Sequence, residues 1–160
     1  MNRTFVAENA RELERLRSLV QRLSDEELRR PLGTDWTISV ALAHLAFWDS
    51  RSLVLIRNWK LNGVMPSPID IDITNEALLP TWLVVPARAA ANLAVSAAEA
   101  IDAEIAGSSP DLISEIENIG DNLQGSFPRM LYRCIHRKAH VDQIEEALKA
   151  CNSQWNSDRV

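Results

Sequence analysis

The sequence predicts an all-α protein, a four-helix bundle, on three observations. Only five glycines occur in 160 residues. No stretch alternates apolar and polar residues as a half-buried strand does. Four long segments repeat apolar residues at steps of three and four, the spacing that builds one greasy stripe on a helix. The chain reads as one domain, residues 1–160, long enough to bury a core without staples.

The first segment runs from about Thr4 to Leu23, with Val6, Ala10, Leu13, Leu16, Val20 and Leu23 on one stripe. It reads as an amphipathic helix rather than a signal peptide, because no basic start precedes an apolar block. Ser24 followed by Glu27 fits a capping box and predicts a short extra turn. Pro31 and Gly33 then break the chain. The second segment, about Ser39 to Leu61, takes Thr37 as its N-cap. "VALAHLAF" is apolar nearly all round, so this helix is expected to be buried on more than one side.

Residues 63 to 73, rich in Pro, Ile and Asp, read as a loop long enough to cross an end of the bundle. The third segment is secure over Ala87–Ala106 on propensity alone. Pro80 and Pro86 place its beginning near Asn75, with a break or bend at the prolines. "SSPDLISEIENIGDNLQG" reads as either a short helix or an extended piece. The fourth segment runs from about Pro128 to Cys151, with Ser126 as cap. Up-down-up-down is the simplest way to connect four such helices.

Charge narrows the partners. With 22 acidic against 17 basic residues the chain carries −5. An acidic chain without a Lys/Arg stripe is a poor ligand for nucleic acid or an anionic membrane surface. No run of about 18 apolar residues is present, so no membrane span is expected. Cys134 and Cys151 lie roughly 25 Å apart if both belong to one helix, too far for a disulfide. Two reduced thiols point to a cytoplasmic protein.

The chain has three histidines: His44, His136 and His140. Residues four apart on a helix are separated by about 40° and 6 Å, so His136 and His140 can converge on one point. On a helical wheel His140 lies in the apolar half of its helix and His136 at the border. His44 sits in the helix that is apolar all round. Three inward imidazoles form either a metal site or a set of hydrogen-bonded core histidines. Cys134 points roughly 160° away from His136 and reads as core. Asp49 lies about 140° around the helix from His44, so it serves another neighbour or solvent more readily than it orients that ring. Arg133 and Arg137 face inward. Each reads as an ion pair at a helix interface, or as a recognition point for an anionic substrate. Trp48, four residues after His44, packs in the core or walls the site. "ALLPTWLVVP" is apolar enough to be a pocket lip or a dimer contact.

These stretches resemble the DinB-like (YfiT-like) superfamily of metalloenzymes. In "TDWTISVALAHLAFWD", Trp36, Thr37 and His44 match a Trp, a helix-opening Ser or Thr, and a His eight residues after the Trp. "HRKAHVDQIEEAL" matches the H-x3-H of the last long helix, through His136 and His140. The resemblance covers essentially the whole chain. It implies an up-down-down-up bundle, commonly a homodimer, in which the three histidines bind a divalent metal, zinc or nickel, with coordination positions left open. It further implies a small-molecule substrate and activation of water or of a low-molecular-weight thiol such as bacillithiol or mycothiol. Maleylpyruvate isomerase is another relative of that kind. No nucleic-acid binding follows, since the error-prone polymerase of similar name is unrelated. The competing expectation is a non-catalytic metal-binding bundle that acts through its dimer surface or sequesters a small molecule.

Overall fold

The computed structural model describes residues 3–122 and 128–157, with side chains inside 3–119 and 130–150. It is an all-helical bundle. The long helices are α1 (Thr4–Arg22), α3 (Ile38–Asn62), α5 (Ala87–Ala106) and α8 (Arg133–Ser157). Between them lie α2 (Asp25–Leu28), β1 (Pro31–Leu32), β2 (Trp36–Thr37), α4 (Ile71–Val84), α6 (Pro110–Asn122) and α7 (Pro128–Leu131).

Local chemistry explains most boundaries. Ser24 and Glu27 form the reciprocal capping box at α2. Thr37 accepts the Val40 amide (3.3 Å) and opens α3. Gly63, at φ +82°, closes α3 in a conformation that few side chains tolerate. The exposed carbonyls ending α1 accept from Arg88, at Val20 (3.2 Å) and Leu23 (2.6 Å). Those ending α5 accept from Arg3, at Ile105 (3.0 Å) and Ala106 (3.1 Å). Both are cations at helix C-termini, where the dipole favours them.

Three boundaries differ from expectation, and one stretch left open between two readings is decided. The helix expected near Asn75 begins at Ile71, because Asp70 caps it by accepting the Ile73 amide (3.0 Å). Pro80 lies inside α4 without breaking it; its ring is on the exposed side, where water can reach the freed carbonyl. The break falls at Pro86 instead, and α5 begins after it. The ambiguous stretch after Gly107 is the helix α6, which packs Leu112, Ile113 and Ile116 against Ile101 and Ile105. The fourth segment is interrupted at Tyr132 and continues to Ser157. Ser126, expected as its cap, lies outside the described residues. Around Gly33 the chain forms a small hairpin, pairing Leu32 with Trp36 and Pro31 with Thr37.

Residue pairings set the helix directions. Asn9 meets Leu131 and Cys134, and Arg22 meets Glu145, so α1 and α8 are parallel. Arg3 meets the end of α5 and Arg88 the end of α1, so those two are antiparallel. Val40 shares a cluster with Ala90, and Arg57 pairs with Glu104, so α3 and α5 are parallel. Asp49 meets Arg133 whereas His44 meets His136, so α3 and α8 are antiparallel. The order is up-down-down-up. The long connection through α4 returns the chain to the end where α3 began, and that makes the parallel pair possible.

Helix α3 is central. It is long and apolar enough to cross a bilayer by composition, but most of that stretch is buried inside the bundle. Ala41, Leu42 and Leu45 are fully buried with Ala91, Ala94 and Ala98 of α5 and Val141 and Ile144 of α8. The small alanines let α3 and α5 approach closely. Burying a leucine there contributes about 1.5–3 kcal/mol.

Candidate metal centre

The site lies where α3 crosses α8. His44 comes from the buried face of α3; His136 and His140 come from consecutive turns of α8. The three ring centroids form a nearly equilateral triangle, with sides of 4.8 Å (His44–His140), 4.9 Å (His136–His140) and 5.0 Å (His44–His136). One ring nitrogen from each lies within 4.8 Å of the others. The Nε2 atoms of His44 and His136 are 2.9 Å apart.

Aromatic rings hold the trio in place. Trp36 stacks on His140, with planes 13° apart and centroids at 6.1 Å, and also packs on His44 at 4.9 Å. Trp82 of α4 meets the His44 ring edge-on at 5.3 Å, and Trp48 meets it at 6.2 Å. The hairpin carries Trp36 to this position. Trp82 comes from the segment expected to be a pocket lip or dimer contact; it is buried here, while its neighbours Leu83 and Val84 are exposed.

The three imidazoles are neutral. Burial lowers the pKa of His44 to about 3, with His140 adding to the effect. Burial, followed by the positive charge of Arg133, lowers His136 to about 2. Burial also lowers His140. Arg133 Nη2 lies 3.4 Å from His136 Nδ1. A guanidinium only donates, so that nitrogen presents a lone pair and the His136 proton, assigned from its partners, sits on Nε2 facing His44. The Nδ1 atoms of His44 and His140 are buried without a hydrogen-bond partner. Asn75 and Gln143 lie near enough to favour the charged rings, but neither bonds these two atoms with good geometry.

A divalent ion fits this set. Neutral imidazole is its preferred nitrogen ligand, with bonds of about 2.0–2.1 Å. Nitrogens around such an ion stand roughly 3.3 Å apart; here one pair is 2.9 Å apart and all three lie within 4.8 Å. An ion held by His44 and His136 through their facing nitrogens would take the place of the proton that the two rings share. The acceptor that usually backs a metal-bound imidazole is missing at these rings among the described residues.

Beside the trio lies an ionic cluster. Asp49 is fully buried and takes Arg133 Nε on one oxygen (2.7 Å) and Arg137 Nε on the other (3.0 Å). Arg137, also fully buried, makes a two-pronged contact with Asp102 at 2.7 and 2.8 Å. Burial works against the charge of Arg137, but Asp102 and Asp49 outweigh it and raise its pKa. At Asp102 burial outweighs Arg137 and raises the carboxyl. The two short bonds identify Arg137 and Asp102 as an ion pair.

The structure thus brings His44, His136 and His140 together and puts Trp48 on the wall of the adjoining cavity. Asp49 and Arg137 do not line that cavity. Asp49 orients no histidine, and both edges of Arg137 are occupied by carboxylates, so Arg137 cannot meet a substrate anion; it is the interface ion pair. Cys134 is buried core on the α1 side.

The cavity has a volume of about 900 Å³. The histidines, Trp36 and residues Pro66–Ile69 are among those that line it. Sequence reasoning missed Arg51 and Asn75 on this wall. Asn75 accepts the Trp48 indole N–H (3.0 Å) and so ties α4 to α3. Arg51 was detectable: His44, Trp48 and Arg51 follow the i, i+4, i+7 spacing of one helix face. Comparison with curated proteins and with solved structures found no match. The sequence profile of the DinB superfamily matches residues 8–150. The chain belongs to the DinB superfamily.

Proposed function

We propose that this protein is a metal-dependent enzyme in which His44, His136 and His140 hold one divalent ion, zinc or nickel. The observation that carries the reading is the convergence of three neutral imidazoles, His44 buried and His136 and His140 half-buried, on the wall of a cavity large enough for a small molecule. The ion, when bound, makes an adjacent thiol or water easier to deprotonate at neutral pH.

The chain's own residues do the rest. Burial keeps the rings unprotonated and ready to ligate. Trp36 and Trp82 fix the orientation of His44. Trp36 and Trp48 exclude water from one side and offer flat apolar surface to a substrate. The reaction is transfer of a low-molecular-weight thiol, or of water, to a small electrophile. The protein is taken to work as a homodimer, as the family resemblance implies, and in the cytoplasm, where two reduced thiols belong.

Elemental analysis of the purified protein should find about one metal per chain, lost in His136→Ala. Incubating the loaded protein with thiols and electrophiles should then give product at a rate that His136→Ala abolishes. Protein that takes up no metal while remaining folded would refute the reading. Uptake without turnover would reduce it to sequestration.

A further inference from the structure

The protein has more acidic than basic residues, yet no Asp or Glu is among the described residues that line the cavity. The charged side chains on its wall are Arg51 and Arg133. Arg133 is committed to Asp49. Arg51 is different. It is half-buried, and among the described residues no carboxylate lies within ion-pair distance of it. Among the described residues Nη2 is the atom engaged, donating to the Ser67 carbonyl (3.2 Å) and hydroxyl (3.0 Å). Its guanidinium lies 6.0 Å from the Trp48 ring centroid. Burial, then repulsion from Arg133, lowers its pKa, as expected for a cation without a counter-charge.

We propose that Arg51 is the recognition point for an anionic group, carboxylate or phosphate, at the far end of the small molecule that enters this cavity. The inference rests on the reading of the cavity as a substrate pocket and deepens it by naming a substrate class. His44 and Arg51 are seven residues apart on α3, hence about 20° apart around the helix and about 10 Å along it. The ligand is therefore elongated, with its reactive end at the imidazoles, its middle against Trp48 and its negative end at Arg51. Nη1 and Nε keep their donors for such an anion, while Ser67 holds Nη2 and steadies the group.

The test uses three matched series, ω-mercaptoalkanoates, ω-mercaptoalkanols and ω-mercaptoalkyl phosphates. Binding is read by calorimetry and by tryptophan fluorescence on the full chain, both zinc-loaded and EDTA-treated. At the best-fitting length an acid should bind at least about tenfold tighter than its alcohol, as a charge-assisted bond warrants. The advantage should shrink with salt and vanish in Arg51→Met. Whether carboxylate or phosphate binds better assigns the anion. Equal binding of acid and alcohol to the wild-type protein overturns the proposal, as does an advantage that survives in Arg51→Met. Should that variant not fold, Arg51→Gln is expected to lose the same advantage. Failure to take up zinc, with the acid advantage intact in EDTA-treated protein, sinks the metal reading and leaves this one standing. Zinc uptake with no acid advantage does the reverse.

Discussion

Two polar clusters are buried side by side between α3 and α8, and they are built on opposite principles. In the ionic cluster every charge is answered: Asp49 by Arg133 and Arg137, Arg137 by Asp102. In the imidazole cluster two buried nitrogens have no partner among the described residues, and His44 and His136 share a single hydrogen bond. Burying polar groups without partners costs stability, and folded proteins mostly avoid it. The contrast separates a scaffold from a site. Asp49, five residues past His44 on α3, clamps α8 and holds the frame; the imidazoles lack such partners, and the facing Nε2 atoms of His44 and His136 are the ones a metal would take.

The largest effect expected from this contrast is on the clamp. Asp49→Asn leaves two buried guanidinium groups without their shared carboxylate and should cost about 3–5 kcal/mol. Chemical denaturation measures this. A loss below about 1 kcal/mol would mean that the cluster is not what joins the helices.

Acid separates the clusters in another way. His44 and His136 have folded-state pKa values near 3 and 2, below the usual 6.5. The unfolded chain then binds more protons than the folded one between those values and 6.5. Stability from neutral rings is therefore complete above about pH 6.5 and is lost as pH falls toward 3. Each ring contributes a slope of up to about 1.4 kcal/mol per pH unit. Thermal melts from pH 7 to 4 should show the fall, and a His44→Gln/His136→Gln double variant should flatten it.

Metal sharpens the contrast further. Zinc at a hundred times its dissociation constant should stabilise the wild-type protein by about 2.7 kcal/mol. It should do nothing for His140→Ala, whose stability without metal should fall less than that of Asp49→Asn. Paired melts with and without zinc decide this, and equal shifts in both proteins would place the metal elsewhere. The smallest effect lies on the surface. Arg22→Ala removes an exposed partner of Glu145, 2.9 Å away, and should cost under about 0.5 kcal/mol.

The imidazole site was more legible in the sequence than the clamp, for a physical reason. An H-x3-H pair on one helix is a local pattern, and a histidine on a helix that is apolar all round has nowhere to point but inward. The partners of Asp49 lie 84 and 88 positions away on another helix. Periodicity shows which face a residue takes, not what faces it. Hence Arg137 read as an ion pair at a helix interface with the anion binder left open, and Asp102, which occupies it, decides for the ion pair. Helix direction was hidden for the same reason, since apolar spacing is identical in either sense. Pro80 misled because helix-breaking was judged without knowing that its ring faces outward. The role of Trp36 at the site depends on a two-residue hairpin too short to leave an alternating pattern.

The account rests on three rings acting as one ligand set. Isothermal titration of EDTA-treated protein with zinc at pH 7 tests it most directly, repeated on His44→Ala, whose missing ring belongs to a different helix from the other two. The account predicts one ion per chain for the wild-type protein and a loss of affinity of at least about a hundredfold in the variant, the effect of removing one of three ligands. Zinc that binds both proteins equally well, or neither while both remain folded, would contradict it.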